Sequence, residues 1–106
     1  MESLNRIELR GRVGRIKREM VGDCEVARIS LGVQITERSI RGTGVSSIDW
    51  FNIVAWKGGK VNFDAVTDNS VIYVVGRVRM RHYTGADGRD HCTPEVVASE
   101  LKWEGR

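Results

Sequence analysis

The sequence predicts an all-β fold: five strands closed into a small barrel, with one short helix between the third and the fourth. Three observations lead there. Apolar and polar residues alternate with period two in stretch after stretch, as they do in half-buried strands. Turn-forming residues separate those stretches, Asp87-Gly88 being the sharpest of them. Only residues 61–66 carry a partial helical stripe, through Val61, Ala65 and Val66.

Each element follows from its residues. Arg6-Ile7-Glu8-Leu9-Arg10 alternates as a first strand should, and Gly11 and Gly14 then mark a bulge or sharp bend. The second strand runs from about Glu25 to Gln34, with Ala27, Ile29, Leu31 and Val33 on one face and Arg28 and Ser30 on the other. Residues 36–47, rich in Gly, Ser and Thr, read as a long hairpin loop of the kind that is usually functional or mobile. Residues 48–56 form the third strand, and the short helix is expected after Lys57-Gly58-Gly59-Lys60, although Gly59 and Asn62 are poor helix formers. Asp68-Asn69 is a turn signal. The fourth strand, about 71–83, is the longest, and Gly76 in its middle implies a kink or a close backbone approach. Gly85–Gly88 turns the chain into a fifth strand at about 93–101. Five strands with a helix between the third and fourth is the order of an oligonucleotide-binding (OB) fold, a Greek-key barrel. A β-sandwich or another small barrel would share the strand count. The 106 residues are expected to form a single domain, 1–106.

The formal charge is only +3, and its distribution says more than its size. Residues 6–18 hold Arg6, Arg10, Arg12, Arg15, Lys17 and Arg18 against Glu8 alone, and residues 77–81 hold three arginines and no acid. Such runs are either solvated faces or surfaces for a polyanion. No stretch is apolar enough to span a bilayer and the opening residues lack signal-peptide character, so a cytoplasmic placement is expected. Cys24 and Cys92 lie far apart with no second ligand pair, which points to reduced thiols rather than a zinc site. The spacing of His82 and His91 supports no Ser/His/Asp arrangement, and Gly42-Thr43-Gly44 lacks the strand–helix context of a phosphate loop. No catalysis, metal or cofactor is therefore expected.

Binding chemistry has better support. In an extended strand Trp50, Asn52, Val54 and Trp56 share one face, leaving Phe51 and Ile53 for the core. Arg77, Arg79, Arg81 and Tyr83 share one face of the fourth strand. Flat aromatic rings interleaved with guanidinium groups suit stacked bases and a phosphate backbone. Arg38 and Arg41, on the expected loop, could embrace such a ligand. The competing reading is that Trp50 and Trp56 fill the core or an oligomer interface, and that Tyr83 only caps a strand end. Val71, Tyr73 and Val75 are expected to face outward as an apolar patch that wants a partner.

The chain resembles bacterial single-stranded DNA-binding proteins over nearly its whole length. The family opening Asn-x-Val-x-Leu-x-Gly-x-Leu-Gly corresponds to Asn5 through Gly14, and the second-strand pattern to Val26-Ala27-Arg28-Ile29-Ser30-Leu31-Gly32. The third-strand pattern falls on Trp50 to Trp56 followed by Lys57-Gly58, the fourth on Asn69 to Tyr83, and the last on Thr93-Pro94-Glu95-Val96-Val97-Ala98. Each block alone is weak; their order and spacing make the signal strong. The resemblance implies an OB-fold that binds single-stranded DNA with little sequence preference and assembles into a homo-oligomer, a tetramer being favoured over a dimer. It puts stacking on Trp50, Trp56 and Tyr83 and basic contacts on Arg79, Arg81 and Lys57.

Two departures stand out. The tryptophan the family often carries after the second strand has no counterpart in Ile35-Thr36-Glu37-Arg38. The sequence also stops at Lys102-Trp103-Glu104-Gly105-Arg106, without the linker and acidic tip through which the family recruits replication and repair enzymes. A truncated protein and a small accessory or mobile-element version both fit, and such enzyme partners stay open. The alternatives to single-strand binding are a tail-less primosome-type accessory protein acting through protein–protein contacts and an RNA-binding OB module.

Overall fold

A computed structural model describes residues 1–38, 42 and 44–106. Its strands are β1 (Ile7–Val21), β2 (Cys24–Arg38), β3 (Gly44–Trp56), β4 (Val71–Thr84) and β5 (Asp90–Gly105). They close into a barrel in the order β1-β2-β3-β5-β4, which is the expected five-stranded OB topology. All neighbours are antiparallel except β3 and β5, whose parallel seam is only Ile53↔Val96 and Val54↔Val97. The inward residues predicted by alternation are there: Ala27, Ile29, Leu31 and Ile53 are at most 2% exposed, and Val33 and Phe51 pack half-buried against them.

The strands run further than their apolar pattern. β2 and β3 stay paired from Val26↔Trp56 out to Arg38↔Gly44, so most of the expected 36–47 loop is strand. Its outer part carries Thr36, Ser46 and Ser47, all exposed and polar, which give no hydrophobic period to read. At the other end Asn5 prolongs the β1–β4 ladder beyond Ile7↔Gly76 with its side chain, whose amide donates to the Val78 carbonyl at 2.7 Å and accepts from its N–H at 2.9 Å.

The short helix is absent: among the described residues no α-helix forms, and thus none that could cross a membrane. Between β3 and β4 the chain instead makes two tight turns, closed by Val66 N–H to Phe63 O at 3.0 Å and Ser70 N–H to Thr67 O at 3.1 Å. Six residues cannot repay helix nucleation. The Asn62 carboxamide also takes the Asp64 N–H at 2.9 Å, a local bond that competes with a helical one. Arg18 claims the carbonyls a helix would need, donating to Phe63 O at 2.8 Å and to Val66 O at 2.5 Å. Burial then decides the outcome, since Val61, Phe63 and Val66 all turn into the barrel and plug one end.

The expected outward apolar patch is also corrected. Val75 is only 4% exposed, and Val71 and Tyr73 are half-buried. Tyr73 donates its hydroxyl to Glu8, and the Arg10 guanidinium lies 5.2 Å from its ring centroid while pairing with Glu104 at 2.6 Å. Ion pairs and cation–π contacts, not bare apolar surface, cover this side of the barrel.

Candidate nucleic-acid interface

Register assembles the site. Cross-strand partners share a face, so the ladders across β1, β2 and β3 define outward rows. One row holds Arg15, Ser30 and Asn52; the next holds Lys17, Arg28 and Val54; a third holds Glu19, Val26 and Trp56. On the other flank Trp50 stands opposite Gly32. Two polar and cationic rows thus lie between two tryptophans, which at about 3.4 Å per residue are some 20 Å apart.

The two tryptophans are surface groups, with Trp50 61% and Trp56 45% exposed, which removes core filling as their role. Each has a seat. A Cβ on Gly14 would come within 2.6 Å of the Trp50 ring and one on Gly32 within 3.1 Å, so the benzo edge of the indole rests against two residues that have no side chain. Gly14 is the residue skipped at the β1 bulge between Val13 and Arg15, so the bulge both bends the strand and makes room for the ring. Trp56 stands across from Val26, which faces outward yet is 1% exposed.

Beyond the two-pair seam, β3 and β5 part. The β2–β3 and β4–β5 arms splay and leave a cleft of about 530 Å³. Arg15, Lys17, Arg28, Ser30, Asn52 and Val54 line one wall, and Arg81, Tyr83, Thr93 and Glu95 the other. Among the described residues Arg15, Lys17 and Arg81 form no ion pair, whereas Arg28 reaches Glu19 at 3.4 Å. Tyr83, 46% exposed, has the Arg81 guanidinium 5.8 Å from its centroid. A second depression of about 380 Å³ gathers Trp50 with Arg10, Arg12, Gln34 and Ile48.

The structure therefore brings Asn52, Arg81 and Tyr83 into one cleft and sets Trp50 and Trp56 on the same outward surface at its two ends. Arg77 and Arg79 are exposed further along β4, on the face that carries Arg81. Lys57 is elsewhere: its ammonium is tied to Asp64 at 2.7 Å, and that hydrogen bond is the main reason its pKa is raised. Arg38 ends β2, with a side chain outside the described set, and Arg41 lies outside the described residues. Sequence reasoning missed Arg15, Lys17 and Arg28 as lining of the same cleft as Asn52. The signal existed, but reading it needs the hairpin register and the Gly14 bulge, which shifts the phase of β1 by one residue.

The fold and this surface define an OB barrel with an aromatic-flanked cationic cleft. Comparison with known proteins agrees with the fold. The Single-strand binding protein family matches residues 4–103. The single-stranded DNA-binding protein of Neisseria meningitidis serogroup A is 30% identical over 106 positions, covering 97% of this chain and 61% of its own length. That of Xanthomonas campestris is 27% identical over 81 positions, covering 76% and 47%. Among solved structures, a Plasmodium falciparum SSB in complex with ssDNA aligns at TM-score 0.84 and 26% identity, over 98% of this chain and 97% of that one. A deletion mutant of the Thermus aquaticus single-stranded DNA binding protein shares the fold at TM-score 0.79 and 20% identity, over 97% and 52%. The chain belongs to the single-strand binding protein family. It spans about three fifths of the length of the Neisseria relative and less of the Xanthomonas one.

Proposed function

We propose that this chain binds single-stranded DNA without sequence preference, protecting exposed strands in replication, recombination or repair. The observation that carries the reading is the pair of exposed tryptophans at the ends of a cationic cleft whose other wall presents Arg81 and Tyr83. Stacking of each base on an aromatic ring contributes about 1–3 kcal/mol and accepts any base. The phosphates are taken by Arg15, Lys17, Arg28 and Arg81, with Asn52 as a polar contact, and by Arg77 and Arg79 where the strand follows the hairpin. Lys57 would join only by releasing Asp64. Arg38 and Arg41 enter the proposal on sequence grounds alone. The binding unit is the barrel of residues 1–106, and no catalytic step belongs to it. A homo-oligomer, tetrameric or dimeric, is part of the proposal on family kinship, as is a cytoplasmic, nucleoid-associated setting.

Titration with oligo(dT) while following tryptophan fluorescence tests the reading. Deep quenching and sub-micromolar affinity are expected, with a log–log salt slope of about −0.7 per phosphate neutralised, so four cleft cations give a slope near −3. Weak binding without quenching would overturn it and favour a protein-interaction module. Sedimentation velocity on the same sample reads the oligomer.

A further inference from the structure

Tyr83 does not stand alone on its hairpin. Directly across the ladder His91 stacks on it, with ring centroids 5.2 Å apart and planes 21° from parallel. The imidazole is itself held: Nε2 lies 3.2 Å from Asp87 Oδ1, and the same oxygen accepts the Arg89 N–H at 3.0 Å. The β4–β5 turn fixes Asp87, through Gly85 N–H to Arg89 O at 2.9 Å, Gly88 N–H to Gly85 O at 3.0 Å, and Gly88 at φ 76°. Gly85 completes the arrangement, since a Cβ there would meet His91 Nε2 at 2.6 Å. The turn, the carboxylate and the imidazole form a built support behind one ring of the cleft wall.

We propose that His91 is a positioning residue that holds the Tyr83 ring for a stacked base, and that protonation of its imidazole tightens single-strand binding. The proposal rests on the single-strand-binding reading above. The groups facing the imidazole are Tyr83 from β4, with Arg81 on that ring, and Asp87 and the Gly85 backbone from the turn; Arg89, Asp90 and Cys92 are its chain neighbours. Asp90 is occupied by the Thr84 hydroxyl at 3.0 Å. The backbone N–H of Arg89, and then His91, hold the Asp87 carboxyl below its ordinary value, so it stays charged in neutral and mildly acidic solution. With neutral His91 the turn behind Tyr83 therefore carries a charged carboxylate with no protonated imidazole beside it, and that charge repels DNA phosphates at the Tyr83 ring. The imidazolium cancels that charge and adds a cation–π contact to Tyr83. Affinity then rises as pH falls. His82 is on the opposite face of the hairpin, paired with Cys92 at 4.0 Å, and supplies at most a background common to all His91 variants.

The test is the affinity for labelled oligo(dT) at pH 8.0 and 5.5, at fixed ionic strength, for wild type, His91→Phe and His91→Ala, each checked for folding by circular dichroism. Wild type is expected to tighten about threefold or more on acidification. His91→Phe keeps the stack without the charge, so it should match wild type at pH 8.0 and lose most of the tightening. His91→Ala should bind about fivefold more weakly at pH 8.0. A His91→Phe profile that tracks wild type, or a His91→Ala affinity equal to wild type at pH 8.0, overturns the proposal while leaving single-strand binding intact. Failure of wild type to bind at either pH removes both.

Discussion

Alanine at Trp50 or at Tyr83 is expected to weaken oligo(dT) binding by about 5- to 160-fold each, the equivalent of about 1–3 kcal/mol of lost stacking. The barrel should survive both changes, because the rings are 61% and 46% exposed and contribute little to the core. The two losses should nearly add, since the rings belong to different depressions and share no lining residue. Gly14→Val serves as an internal check. It leaves the indole in place chemically but drives a side chain into its seat, so it should reproduce much of the Trp50→Ala defect. Arg81→Ala should behave differently, with a smaller loss that fades as salt rises, because a phosphate contact is screened and a stack is not. Equilibrium titration of the variants at two salt concentrations separates the two kinds of contact.

Gly76→Val is expected to lower stability by more than about 3 kcal/mol, near the upper end for overpacked sites and a large share of the 5–15 kcal/mol available to a typical domain. At Gly76 β4 pairs with Ile7 of β1 on one side and passes the β4–β5 irregularity at Val75/Gly76 on the other. A Cβ there would overlap the Val97 carbonyl oxygen, with the Val97 carbonyl carbon at 3.0 Å. That is backbone of the neighbouring strand, which cannot swing aside as a flexible side chain would. The change should reduce Tm by more than about 12 °C in a chain of this size, measured by circular dichroism. Gly44→Ala is the control: among the described residues its Cβ would meet only the Thr36 methyl at 3.5 Å, an ordinary contact, and Tm should hold. Equal effects of the two substitutions would mean that the close approach at Gly76 is not what closes the barrel.

The strands were legible because one face of each is buried, and burial writes a period of two into the sequence. Ala27-Ile29-Leu31 and Ile53-Ala55 show it plainly, and from Ile53 the outward phase of Trp50 and Trp56 follows. Legibility ended where burial did. Thr36, Ser46 and Ser47 lie in the outer β2–β3 ladder as exposed polar residues, and they read as loop. The helix failed for the converse reason. Val61 and Val66 are apolar because they plug the barrel, and a plug needs depth rather than a helical period. The site was half legible. Alternation found Trp50, Asn52, Arg81 and Tyr83, each within its own strand. It could not find Arg15, Lys17 and Arg28, which reach the cleft only through pairing across three strands. Nor could it see Lys57 drawn away to Asp64, a contact set by the path of the plug segment.

Photocrosslinking tests the central claim most directly. Oligo(dT) carrying 5-iodouracil is irradiated in complex with the protein, and the adducts are mapped by mass spectrometry. Adducts on Trp50, Trp56 and Tyr83 are expected, because a base stacked on a ring holds the iodinated edge against it. Adducts confined to Tyr73 or Trp103, which line neither the cleft nor the Trp50 depression, would contradict the account and move the binding surface away from the cleft.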